Sequence, residues 1–265
     1  MEFGVVIVEN IYQHFRIDER QLIDKVVEWK ETVLNQYSPK LTDFLDPREQ
    51  EIAKAVIGEK GEVKIALFGG TANTERKRAL IFPDYYEEEE NDFQMTLFEI
   101  EYPSKFVTIE HRQVLGSLMS LGLDRSKFGD IRFASEQIHL VVATEIADYL
   151  RMNFQEVGRA KISLKELSFD QMIAHEEDVQ EMSTTVSSLR LDVVVAAINN
   201  LSRAKVQTLI KHGLVKINWK TVDDPSFEVQ EGDTLSVRGY GRSKFLSIEG
   251  KTKKDKLRVV INKQK

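Results

Sequence analysis

A chain of 265 residues with 42% hydrophobic and 9% aromatic content has the material for packed cores. It has no cysteine, which excludes disulfides, thiol catalysis, zinc ribbons and iron–sulfur clusters. The 37 Lys/Arg and 43 Asp/Glu sum to −6, but from Ser183 to Lys265 there are 16 basic against 8 acidic residues, and before Ser183 there are 21 against 35. Such asymmetry points to a nucleic-acid or membrane contact. No apolar stretch approaches the roughly 20 residues of a membrane span. The short apolar run in the first ten residues lacks the basic leader and small-residue cleavage site of a signal peptide. A cytoplasmic protein is therefore expected.

The first predicted helix starts at a capping Asp18 and runs to about Tyr37, with Leu22, Val26, Trp29 and Val33 on one stripe. Asp46-Pro47 opens a second, carrying Ile52, Ala53, Val56 and Ile57, and Gly58 closes it. These define an N-terminal, mainly helical domain over residues 1–70. An α+β domain over 71–168 follows, with strands at Arg78–Phe82, Met95–Tyr102, Ile131–Phe133, Gln137–Val142 and Arg159–Leu164. Helices are expected from His111 to Leu121 and from Thr144 to Met152. A strand–helix–strand–strand–helix–strand order suggests a ferredoxin-like sheet, the scaffold of RNA-recognition (RRM-like) domains. Residues 169–187 are polar and acidic and read as a linker to a third domain at 188–265, whose lysine-rich end includes Leu257, Val259, Val260 and Ile261 and predicts a terminal strand.

The third domain carries the strongest signal. Asp192 is expected to cap a helix bearing Val194, Val195 and Ile198; Ser202 is expected to cap a second that ends at Gly213. On the second helix Val206, Leu209 and Ile210 form the buried side. Arg203, Gln207 and Lys211 make a polar stripe beside it, with Lys205 on the opposite flank. Arg203 and Lys205 stand in the first turn, where the helix dipole disfavours cations. A helix start with free N–H groups, a serine cap and two cations suits a phosphate. Alternating strands then turn Lys216 and Arg238 outward, with Lys220 at a turn and Arg242 after Gly239-Tyr240-Gly241.

Arg190-Leu191-Asp192, Leu201-Ser202-Arg203, the run Ile210–Asn218 and the run Glu231–Arg238 resemble the RNA-binding domain named after small-subunit ribosomal protein S-four. That resemblance implies a two-helix surface for structured RNA, contacted by Arg190 and Arg203, with Lys205, Gln207, Lys211, Lys216 and Lys220 as further carry-overs. The family often has glycine after the strand's asparagine; here it is Trp219. Upstream, Phe44–Glu49, Gly69-Gly70 with Glu75–Ile81, Pro83–Tyr86, His111-Arg112 with Leu115–Leu123, and Gly129–Ile131 resemble the bacterial YlmH family over the whole chain. The implied protein is a non-enzymatic binder of large-subunit rRNA and peptidyl-tRNA in ribosome-associated quality control and nascent-chain tailing. It is encoded beside cell-division genes, which adds division proteins as candidate partners.

Outside the third domain, Arg76, Lys77 and Arg78 form a basic burst in an acidic half. His111-Arg112 at a helix start, and Arg125 and Lys127 in a Gly-flanked loop, are the other secondary candidates for RNA contact. Each is weighed against a solvated or packing role. The five histidines, His14, His111, His139, His175 and His212, have no pair at zinc spacing, and the acidic run Glu87–Glu90 lacks calcium-loop spacing. No metal and no cofactor is expected. S-four-type domains also accompany pseudouridine synthases, whose motif contains Arg-Leu-Asp. Asp192 sits in such a tripeptide but opens the RNA-binding domain itself, so a capping and Arg190-orienting role is expected rather than catalysis. A protein-binding division scaffold and a modification enzyme remain the alternatives.

Overall fold

Asp46 and Glu49 satisfy each other's backbone at the start of a helix. The Glu49 N–H donates to Asp46 Oδ1 at 2.9 Å, and the Asp46 N–H donates to Glu49 Oε2 at 2.8 Å. Pro47 occupies the first helical position, and Gly58 leaves the helix at φ +79°. These are the start and stop signals the sequence carries. The computed structural model describes residues 12, 15–174 and 179–264. The N-terminal segment read for a leader, His14 and His175 lie outside the described residues. The chain divides into two compact units, Met1–His175 and Glu176–Lys265.

In the first unit α1 (Arg20–Gln36) buries Ile23, Val26 and Val33 and ends at Tyr37 in the left-handed region, φ +51°. Asp18 falls in a 3-10 turn, Ile17–Glu19, and Glu19 holds the N-cap position. After α1 come β1 (Lys40–Leu45), α2 (Pro47–Ile57), β2 (Val63–Phe68) and β3 (Lys77–Pro83). The strands form an antiparallel sheet in the order β1-β3-β2, whose core shares Ala79, Ile81 and Val63 with both helices. The expected helical domain thus also contains a sheet, and the strand read at Arg78–Phe82 belongs to it rather than to the middle domain. The reason is non-local: β3 pairs with strands well upstream, Lys77 with Leu45 and Pro83 with Val63, where alternation is too weak to mark strands.

The rest of this unit comprises β4 (Met95–Glu101), α3 (His111–Ser120), β5 (Phe128–Ala134), β6 (Gln137–Ala143), α4 (Ala147–Asn153), a two-residue hairpin β7 (Glu156–Val157) and β8 (Ala160–Lys161), and β9 (Ser163–Leu167). The sheet runs β5-β6-β4-β9 with every pair antiparallel. That is the ferredoxin-like order, with helices following its first and third strands. The last strand lies about three residues beyond its expected place because β7 and β8 intervene.

The second unit is a six-stranded antiparallel sheet with two helices. Its elements are β10 (Val179–Val186), α5 (Leu191–Asn199), α6 (Arg203–Lys211), β11 (Val215–Ile217), β12 (Lys220–Thr221), β13 (Thr234–Val237), β14 (Gly241–Lys251) and β15 (Leu257–Gln264), ordered β10-β15-β14-β13-β11-β12. One core joins Val194, Val195 and Ile198 of α5, Val206 and Ile210 of α6, and Val215, Leu235, Phe245, Val259 and Ile261 of the sheet. The segment expected as linker is corrected over 179–186: β10 pairs along its whole length with β15, from Val179↔Gln264 to Val186↔Leu257. Its polar sequence misleads because it is an edge strand: Met182 and Val186 face the core, with polar residues between them. The chain therefore consists of α+β units throughout.

Candidate nucleic-acid interface

α5 and α6 are joined by a tight turn. Asn200 closes α5 in the left-handed region at φ +52°, and Ser202 accepts from the Lys205 N–H at 3.3 Å to cap α6. At the other end of α6, Gly213 takes φ +68° and Leu214 N–H returns to the Leu209 carbonyl at 3.0 Å, a Schellman closure. Across this turn, side chains from the first half of α6 reach back to the start of α5.

These side chains meet at Asp192, which is fully buried. Its carboxylate accepts from Arg190 Nε at 3.2 Å and Nη2 at 3.3 Å, from Arg203 Nη2 at 2.8 Å and from Gln207 Nε2 at 2.8 Å. Burial alone would raise this carboxyl. The bonds from Arg190, Arg203 and Gln207, together with the Arg203 charge, outweigh it and bring the pKa down to about 2. Asp192 is a carboxylate at any physiological pH.

One expectation is corrected here. Asp192 does not cap α5: Arg190 is the N-cap residue, with no side-chain cap bond, and Asp192 lies inside the first turn. The helix start is secured instead by Leu191 N–H to the Phe227 carbonyl at 2.8 Å and Asp192 N–H to the Pro225 carbonyl at 3.1 Å. The side chain is thereby released to organise two arginines. Its negative charge also offsets the unfavourable placement of Arg203 in the first turn of α6.

The guanidinium groups are anchored on one side and open on the other. Arg190 and Arg203 side chains are 42% and 55% exposed while their common acceptor is 0% exposed. The bonds to Asp192 leave Arg190 Nη1 and Arg203 Nε and Nη1 unused. Gln207 is half-buried, and Lys211 is exposed one turn further along α6. Lys205 lies over the Tyr240 ring at 5.4 Å. Lys216 is exposed on β11, Arg238 is exposed in the turn just after β13, and Lys220 is exposed beside the β11–β12 turn. Arg242 sits over the Trp219 ring at 5.7 Å. Sequence reasoning expected Asp192 to orient Arg190 but missed that Arg203 and Gln207 converge on the same carboxylate, and it missed Lys244, exposed on β14 at two-residue spacing from Arg242.

In the first unit the secondary candidates separate. Arg76 and Arg78 are buried, 9% and 4% exposed. Arg76 Nε donates to the Phe128 carbonyl at 3.1 Å and its Nη2 to the Phe44 carbonyl at 2.7 Å. Arg78 donates to the carbonyls of Thr42 at 2.7 Å and Gln94 at 2.9 Å. These two tie strands together and do not present charge to solvent, which corrects the reading of them as RNA contacts. Lys77 donates to the Ala72 carbonyl at 3.2 Å, and Arg125 to the Phe128 carbonyl at 2.6 Å. Lys127 is held between Asp43 at 2.6 Å and Glu145 at 2.9 Å, bonds that raise its pKa, the Asp43 bond most. His111 is exposed, with its ring 6.1 Å from that of Phe133. Arg112 is exposed and paired with Glu110 at 2.6 Å.

Among the described residues no group of three or more acidic or histidine side chains forms a metal site, and no helix is long and apolar enough to cross a membrane.

Comparison with known proteins gives a consistent picture. A family model described as "YlmH, N-terminal" matches residues 18–86, one described as "Putative RNA-binding domain in YlmH" matches 88–171, and an "S4 domain" model matches 189–235. The chain is 50% identical over 258 residues to ribosome-associated protein quality control protein P2 of Bacillus subtilis (strain 168), covering 97% of this chain and 100% of that one. It is 46% identical over 55 residues to small ribosomal subunit protein uS4 of Thermoanaerobacter sp. (strain X514), covering 20% of this chain and 27% of that one. A solved structure, cell division protein ylmH from Streptococcus pneumoniae, aligns with a TM-score of 0.54 at 32% identity, over 62% of this chain and 99% of that one. With three successive matches along its length and half its residues shared with a full-length relative, the chain belongs to the YlmH family.

Proposed function

We propose that this protein is a non-enzymatic RNA-binding factor that engages rRNA of the large ribosomal subunit, together with peptidyl-tRNA, in ribosome-associated quality control. The observation that carries the reading is the Asp192 junction. A buried carboxylate pre-orients two half-exposed guanidinium groups on a basic S-four-type unit, and ordered arginines lose less freedom when they meet phosphate. The name of the Bacillus subtilis relative supports the ribosomal setting. The surplus of acidic residues before Ser183 disfavours indiscriminate binding there, because like charge repels phosphate. Recognition then rests on RNA shape, since A-form helices hide their base edges in a deep groove.

The test is co-sedimentation. Replacing Arg190 and Arg203 together by alanine releases the protein from large subunits in sucrose gradients while its circular dichroism is unchanged. Undiminished co-sedimentation refutes the site.

A second reading is a division scaffold, favoured by the name of the Streptococcus pneumoniae structure. Crosslinking followed by RNA sequencing separates the two, because a scaffold recovers no enriched RNA. Catalysis by Asp192 in the manner of a pseudouridine synthase is disfavoured, since its carboxylate is fully buried and engaged by three side chains.

A further inference from the structure

The C-terminal sheet has a second basic face. Val215, Ile217, Leu235, Val237, Phe245, Val259 and Ile261 point to the core shared with α5 and α6. Alternation turns Lys216, Ser236 and Arg242 to the opposite face. The register aligns these three in one row across β11, β13 and β14, Lys216 beside Ser236 and Ser236 beside Arg242. Lys244, two residues beyond Arg242, is exposed.

Trp219 stands at the tip of the β11–β12 hairpin. The hairpin has a two-residue loop, Ile217 pairing with Lys220 across it, and both loop residues have positive φ, +47° at Asn218 and +66° at Trp219. Such a loop favours Asn followed by Gly. Asn218 has a structural reason to be there. It is buried, donates to Asp233 Oδ1 at 2.8 Å, and accepts from the Thr234 N–H at 2.9 Å.

Trp219 has no such reason. A bulky residue at positive φ is strained. Its indole is half-exposed and belongs neither to the unit's core nor to the apolar side chains packed against that core. Instead the Arg242 guanidinium lies over the ring at 5.7 Å. The hairpin thus holds an aromatic surface at the rim of a basic face, in a backbone state that glycine would occupy without strain.

We infer that Trp219, with Arg242 stacked on it, is a platform for one unpaired nucleobase of the bound RNA, with Lys216 and Lys244 placed to meet the neighbouring phosphates. This rests on the RNA-binding reading and adds a contact on the sheet face, away from the α5–α6 junction. Stacking on an indole accepts any base, so the contact distinguishes unpaired from paired nucleotides rather than one sequence from another.

The test uses the full-length chain and two probes, an RNA stem with an unpaired loop and the same stem as a blunt duplex. Trp219→Gly weakens binding of the stem–loop about tenfold, leaves duplex binding unchanged and does not lower the melting temperature. Trp219→Phe retains most of the stem–loop affinity. Unchanged stem–loop affinity in Trp219→Gly overturns the inference, and so does an equal loss on both probes. In a Trp29→Phe background, where Trp219 is the remaining tryptophan, saturating stem–loop quenches the indole fluorescence; absence of quenching also overturns it. The pair Arg190→Ala and Arg203→Ala weakens both probes alike. Failure of that result, and not of the stem–loop preference, is what would refute the underlying RNA-binding reading.

Discussion

Asp192 and Arg203 lie on consecutive helices and meet at 2.8 Å, with the carboxylate fully buried and the arginine more than half exposed. Arg190 and Gln207 complete the junction. Asp192 touches no solvent, so in the proposed binding role it acts only through the two arginines it orients.

Asp192→Asn keeps the volume and removes the charge. The amide accepts fewer of the four bonds and offers N–H groups toward guanidinium donors. Because both arginines are free to turn back to water, the loss is expected to be about 1–3 kcal/mol in urea unfolding rather than that of a fully buried pair. Under the proposed function, affinity for large subunits is expected to fall although the net charge becomes more positive. An affinity that rises with the added charge would show that positioning is unimportant.

The depressed Asp192 pKa has a definite sign. Its folded value of about 2 lies below the ordinary 3.8, so the stabilisation is complete above about pH 4 and is lost as pH falls from there through about 2. Acid titration by circular dichroism should show wild type losing stability in that window more steeply than Asp192→Asn.

Asp46 behaves oppositely. Burial first, and the nearby Glu49 charge second, raise its pKa from 3.8 to about 6. The folded state therefore holds this proton more tightly than the unfolded state. The stabilisation is complete below about pH 4 and fades as pH rises through about 6. Asparagine is an equally good N-cap without the charge. Asp46→Asn is thus expected to stabilise the protein at pH 7 by on the order of 1 kcal/mol, and to show no advantage at pH 4, in parallel thermal melts.

Arg76 and Arg78 separate stability from binding. Methionine at either position removes donors to buried carbonyls of Phe44, Phe128, Thr42 or Gln94. Each variant should lose roughly 2–4 kcal/mol in urea unfolding, while the folded protein binds large subunits as wild type does. A selective loss of binding would return these arginines to the RNA surface.

The proposed phosphate contacts are countable. Each phosphate neutralised steepens the fall of log affinity with log salt by about 0.7–0.9. The Arg190→Ala, Arg203→Ala pair is expected to flatten that slope by about two contacts, read by filter binding across a salt series. An unchanged slope would place the two arginines off the phosphates.

Much of this protein is determined by its sequence alone. Local signals are short-range chemistry, so the capping box at Asp46 and Glu49, the Ser202 cap, the Gly213 closure, the buried stripe of Val206 and Ile210, and the β-α-β-β-α-β order of the middle domain were legible. The concentration of positive charge after Ser183 needed only counting. Tertiary structure decided what depends on partners distant in the chain. A strand's sheet membership lies with its neighbours: Lys77–Pro83 joined the first sheet, and a polar segment became the edge strand Val179–Val186. A charge takes its role from what surrounds it. Arg76 and Arg203 are the same residue type in basic runs, yet one is enclosed by backbone carbonyls and the other is held half in solvent by a buried aspartate, a difference that desolvation and hydrogen-bond geometry alone impose.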